Sequence, residues 1–185
     1  MKAIYYKTPA FLSIVIAYSY YSFAIGQTAD TTQTLKETLL QELKTTQNQK
    51  EWFVPLSVAL DGVTAGQAVW KEASGNHSVA QLASHLLFWN DRILKQLKNE
   101  PVPEFSGNNE ESFEEFEEAD WQKTLSKLDK LMNDFEKLIE EASDEQIQRW
   151  AKTLTHVSTH NAYHIGQIVV IRKLQGSWDP QKGVK

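Results

Sequence analysis

Three of the five histidines in this 185-residue chain, His156, His160 and His164, lie in one short stretch, HVSTHNAYHIGQI. Imidazole is the commonest metal-ligating side chain, and two of them one helical turn apart can hold one ion. Four residues advance a helix by about 6 Å and turn it roughly 40° past a full revolution. Neighbours at i and i+4 therefore both reach an ion lying about 2.0–2.1 Å from each nitrogen. His156 and His164 stand about 12 Å apart along the axis, so one ion takes either the His156/His160 pair or the His160/His164 pair.

The apolar stripe of the same helix chooses between them. Trp150, Leu154, Val157, Ile168 and Ile171 share one face at helical periodicity. His164 falls within about 20° of the stripe centre, His160 within about 60°, and His156 at about 100°, where water reaches it. His160 and His164 are the inward pair. A third ligand must come from His77 or His85. In NHSVAQLASHLLFWNDRILKQL the stripe is Val79, Leu82, Leu86, Ile93 and Leu97, with His85 on its flank one turn before Trp89. His77 precedes Ser78 at the helix start, a capping or loop position.

Four long helices must position these groups. The first is expected from about Asp30-Thr31-Thr32, with Leu35, Leu39, Leu40 and Leu43 on one side, and breaks near Phe53-Val54 because Pro55 lacks an amide hydrogen. A loop follows through Asp61-Gly62 and Ser74-Gly75-Asn76. The second helix spans about 78–98, and Pro101, Pro103, Gly107, Asn108 and Asn109 then mark an irregular connection. The third spans about 120–141. Ser143 with Gln146 forms a capping box for the last, which ends near Leu174-Gln175 with Gly176 as its cap. No strand alternation or repeat competes, so the fold class is all-α: a four-helix bundle with at least one long crossover. The acidic run from Glu110 to Glu118 is a solvated loop whose last charges favour the next helix N-terminus, since it lacks the spacing of a calcium loop. Trp52, Phe53, Trp70, Phe88, Trp89, Trp121 and Trp150 are expected in the core.

Composition narrows the function. The first 26 residues have Lys2 and Lys7, then a mostly apolar run from Ala10 to Ala24, then Ala24-Ile25-Gly26, the pattern of a cleaved secretory signal, with an uncleaved anchor as the alternative. Two of the 19 basic residues and none of the 24 acidic ones fall there, so the remaining 159 residues carry a net charge of −7. They suffice for one domain, residues 27–185. Export to the periplasm or the extracellular space is expected, without stable membrane association once the signal is removed. An acidic chain with no basic patch makes nucleic acid an unsuitable partner. With no cysteine, disulfides, thiol catalysis and thiolate ligands are excluded.

The stretches H-L-L-F-W-N-D-R-I-L from His85 and H-N-A-Y-H-I-G-Q-I from His160 resemble the DinB/YfiT-like superfamily of metal-dependent proteins. The resemblance covers residues 30–185, and H-x-x-x-H-x-G-Q with an earlier helical histidine is its most specific element. It implies a four-helix bundle, often a homodimer, with one divalent ion held by one histidine of the second helix and two of the last. On this chain those are His85, His160 and His164. Relatives include thiol-dependent transferases and isomerases working with cytoplasmic thiols, a setting at odds with the export expected here.

Three neutral imidazoles leave an open coordination position, where a divalent ion activates water and polarises a carbonyl. Zinc and nickel lead the candidates, although three imidazoles also suit copper and iron. Trp89, Arg92, Tyr163 and Gln167 are candidates to line or support the site, Gln167 by a hydrogen bond to a ligand. No carboxylate stands at general-base spacing, unlike the glutamate of H-E-x-x-H. The expected function is a metal-dependent hydrolase or transferase acting on a small molecule; the alternatives are a non-catalytic metal-binding or stress-related bundle, and a purely structural one.

Overall fold

Four Ser/Thr-x-x-Glu/Gln boxes start four of the helices: Thr34/Glu37, Thr64/Gln67, Ser78/Gln81 and Ser143/Gln146. In each, the hydroxyl accepts the backbone amide three residues on, and the longer side chain accepts the amide of the capping residue, satisfying two donors that have no partner inside the helix. The computed structural model describes residues 33–113 and 118–184. The signal expected over residues 1–26, the start expected at Asp30-Thr31-Thr32 and part of the acidic run lie outside the described residues.

The helices are α1 (Leu35–Gln47), α2 (Leu56–Leu60), α3 (Ala65–Val69), α4 (Val79–Leu97), α5 (Trp121–Glu141) and α6 (Asp144–Leu174). The four long ones make the bundle. α1 packs on both α5 and α6, and α4 packs on the same two, so the order around the bundle is α1, α6, α4, α5. The long crossover is residues 98–120, between α4 and α5. α4 ends with Asn99 at φ +57, and α6 with Gly176 at φ +74. In both, the amide of that residue and of the next fold back on last-turn carbonyls, as in Glu100 N to Lys95 O at 2.9 Å and Ser177 N to Arg172 O at 2.8 Å.

The structure departs from the expected layout in two places. The first helix ends at Gln47, well before Pro55, because Thr45, Thr46 and Asn48 are weak helix formers and the amides of Asn48 and Gln49 both turn back to the Lys44 carbonyl. Pro55 instead caps α2. The stretch expected to be loop holds α2 and α3, two short helices whose faces bury Leu56, Ala59, Leu60 and Ala68. Trp52 is not a core residue: it is 93% exposed. It sits in the link between α1 and α2, where Val54 rather than Trp52 turns into the core. Trp121 is fully buried, with its indole N–H donating to the Val63 carbonyl at 2.9 Å. Phe53, Trp70, Phe88, Trp89 and Trp150 are half-buried.

Two apolar cores fill the bundle. One joins α2, α3, the starts of α4 and α5 and the end of α6 around Leu82, Leu86, Trp121, Ile165 and Ile168. The other joins α1, the end of α4, α5 and the first half of α6 around Leu43, Leu94, Phe135, Ile139 and Leu154. A polar band separates them on α6, where Ser158, Asn161 and His164 are buried between Val157 and Ile165. The Asn90 side-chain amide of α4 donates to the Asn161 side-chain oxygen Oδ1 of α6 at 2.8 Å, and both residues are almost fully buried.

A buried pair of this kind is costly to break on one side only. Asn90→Ala is expected to destabilise the protein by about 1–3 kcal/mol by leaving Asn161 unpaired, whereas Asn90→Leu with Asn161→Leu should cost much less than the sum of the single changes. Urea denaturation of the four proteins in the cycle measures this; strict additivity would show that the pair is not coupled.

Candidate metal centre

Helix geometry places His160 and His164 on one face of α6, one turn apart, and α4 brings His85 opposite them. The Nε2 atom of His160 lies 3.1 Å from Nε2 of His85 and 3.1 Å from Nε2 of His164. One nitrogen from each residue falls within a 4.8 Å cluster. Ligands about 2.0–2.1 Å from an ion, at octahedral to tetrahedral angles, stand about 2.9–3.4 Å from one another, and both distances from His160 fall in that range. His85 and His164 are buried and His160 is half-buried, leaving His160 on the solvent side.

The outer ring nitrogens are also occupied. Nδ1 of His85 lies 2.6 Å from the Ser112 hydroxyl, and Nδ1 of His164 lies 2.6 Å from the Gln167 amide oxygen. The Gln167 amide nitrogen in turn donates to the Tyr163 hydroxyl at 3.2 Å. An imidazole that donates from Nδ1 keeps the lone pair on Nε2, the atom turned to the cluster.

The remaining expected residues divide. Gln167 supports His164 directly. Tyr163 is exposed and meets the His164 ring edge-on at 4.9 Å. Trp89 meets His85 edge-on at 6.5 Å and walls an open cavity of about 660 Å³ that reaches His160. Arg92 belongs elsewhere: its guanidinium donates to the Pro103 carbonyl at 2.7 Å, lies over the Phe88 and Phe105 rings, and faces a groove that holds none of the three histidines. His156 is exposed, as the helical wheel requires, yet it lines the same cavity as His160. A second cavity of about 540 Å³ lies along Tyr163, Gln167 and His77.

Two contributors were invisible in the sequence, Ser112 and Phe113. Both come from the crossover, where Asn108 and Glu111 cap a short 3-10 turn over Asn109–Ser112. That Asn-x-x-Glu box announces a turn, but no local pattern says that the turn lands on His85.

Residues 55–168 match the DinB superfamily, more than half of the chain and all three converging histidines. The chain belongs to the DinB superfamily. No curated protein and no solved structure matches it. The matched stretch of this DinB chain begins at the residue that caps α2 and runs into the second half of α6, so α1 lies outside it.

Electrostatics in this DinB centre favour neutral imidazoles. Burial, then the neighbouring His164, His160 and His77, push His85 down to about 3. Burial and His164 bring His160 down to about 4. Burial also lowers His164, against the opposing hydrogen bond that its Nδ1 makes to the Gln167 oxygen. Neutral rings are what a metal requires of them.

The sign of the resulting pH dependence follows. Each ring titrates lower in the folded chain than at its ordinary 6.5. Between the two values the unfolded chain binds more protons, so stability falls as pH drops through that window and is unaffected above it. Metal-free protein should keep a constant unfolding free energy from pH 8 to 7 and lose it progressively from pH 6.5 to 5, above the carboxylate range. Each unshared proton contributes a slope of up to about 1.4 kcal/mol per pH unit. Urea titrations in chelator measure this, and His85→Gln should flatten the slope.

Proposed function

We propose that this chain is an exported metal-dependent hydrolase or transferase acting on an uncharged small molecule, with His85, His160 and His164 holding one divalent ion, zinc or nickel. The observation that carries this reading is the convergence of three Nε2 atoms at ligand spacing while two of the rings are held from behind through Nδ1. An ion bound there supplies Lewis acidity at an open coordination position.

The chain's own residues set what can approach. The cavity beside His160 is walled by Trp89, Ile93, Val157 and Tyr163, with hydroxyls of Thr153 and Thr159 at its edge. Among the described residues no Lys, Arg, Asp or Glu lines it, which suits a ligand with an apolar body and neutral polar groups. His156 in the same cavity offers a proton acceptor that no carboxylate supplies. That missing carboxylate favours a second reading, a metal-binding bundle without turnover. The expected signal cleavage adds export to the proposal, and intact mass of native protein checks it against a start near Gln27.

Elemental analysis of purified protein should find about one divalent ion per chain, absent in His160→Ala; a folded protein that neither carries nor binds such an ion overturns the reading. Turnover of neutral esters or amides should track metal occupancy. His156→Gln should keep the ion and lose turnover by about 10²-fold or more. Full metal loading with no turnover on any ester, amide or thiol-transfer substrate would leave the second reading standing.

A further inference from the structure

The geometry points to a clamp on His85 built from the crossover: the Ser112 hydroxyl sets which nitrogen of the ring carries the proton, and the Phe113 ring sets the plane in which its free nitrogen points. The inference rests on the metal-centre reading above and assigns the crossover a part in it.

The hydrogen-bond direction at Ser112 has one solution. Its hydroxyl lies 2.5 Å from the Asn109 carbonyl oxygen, which can only accept. The single hydroxyl proton is therefore spent on Asn109, and toward His85 the Ser112 oxygen is an acceptor. Nδ1 of His85, 2.6 Å away, must donate. Nε2 is then unprotonated and faces His160. The corresponding bond at His164 is less restrictive, because the amide of Gln167 can present either oxygen or nitrogen to Nδ1. Of the two supported rings, His85 has its tautomer fixed by connectivity alone.

The next residue controls the ring plane. Phe113 stacks on His85 with centroids 3.9 Å apart and planes 7° from parallel, and stacks on His77 on its other face at 3.8 Å and 1°. Three flat rings lie in one column, with the crossover phenyl in the middle. His77 also sits 3.5 Å from the Glu110 carboxylate of the same turn. Ser112 is fully buried against the site. These contacts join the crossover to α4 at residues 27 and 28 positions further along the chain than the ring they hold. Partners behind a ligand imidazole orient it and raise its basicity, and their loss costs about 10- to 100-fold in metal affinity.

Ser112 and Phe113 are thus positioning residues, acting through His85. Nitrogen-15 NMR of metal-free protein at pH 7.5 should show His85 in the Nδ1–H tautomer, and Ser112→Ala should turn it into a mixture. In competition with a chromogenic chelator, zinc should bind Ser112→Ala about 10- to 100-fold more weakly than wild type. Phe113→Leu should weaken zinc binding while keeping the Nδ1–H tautomer, separating plane from proton. An unchanged His85 tautomer in Ser112→Ala, or a zinc affinity within about twofold of wild type, overturns the clamp. If the wild type binds neither zinc nor nickel, the metal-centre reading fails, while the tautomer measurement on metal-free protein still decides the assignment of Ser112.

Discussion

Two imidazoles on one helix meet by local geometry alone, but a third from another helix meets them only if the two helices keep a fixed register. A slide of α4 along α6 by one residue, about 1.5 Å, would carry His85 away from nitrogens that now stand 3.1 Å apart. Apolar contacts resist such a slide only weakly, since Leu and Ile surfaces repack at modest cost. The Asn90–Asn161 bond does better, because each partner is buried and has to be satisfied. Asn161 adjoins His160 in sequence, so this register pin lies within one residue of a donor nitrogen. The two apolar cores above and below the polar band hold the rest.

The same burial that makes the donors ready makes them costly. Three rings crowded between oily layers turn their inner nitrogens on one another, with His160 Nε2 3.1 Å from each of the other two. Two of the rings recover hydrogen bonds through Nδ1, to Ser112 and Gln167. The inner faces gain a partner when a cation sits among them. The DinB centre could in this sense hold an ion, with its cost spread over residues drawn from α4, the crossover and α6.

Much of this was legible in the sequence, and the boundary follows a physical line. Periodicity is a property of one helix, so the long helices, the choice of His160 with His164 and the outward direction of His156 could be worked out from spacing. Capping boxes are equally local, which is why the start of α4 and both ends of α6 fell where Ser78, Ser143 and Gly176 put them. Residues of the irregular segments were not legible. Trp52 looked like core on composition, yet it points to solvent while Val54, two residues on in the same link, enters the core. Arg92 sits one turn beyond His85's neighbour Phe88 but is drawn off by the Phe88 and Phe105 rings and the Pro103 carbonyl. α2 and α3, with five residues each, are too short to show a period. Ser112 and Phe113 depend on where a long connection returns, which no local pattern encodes.

Chain order bears on how such a centre comes into being. His85 precedes His160 by 75 residues, an interval that a ribosome working at 5–20 residues per second covers in roughly 4–15 s. Throughout that time α4 exists without either of its partner donors, and the register pin on Asn161 is also still to be made. A three-imidazole site can therefore form only once α6 has docked on α4, and occupancy by an ion would report a finished fold.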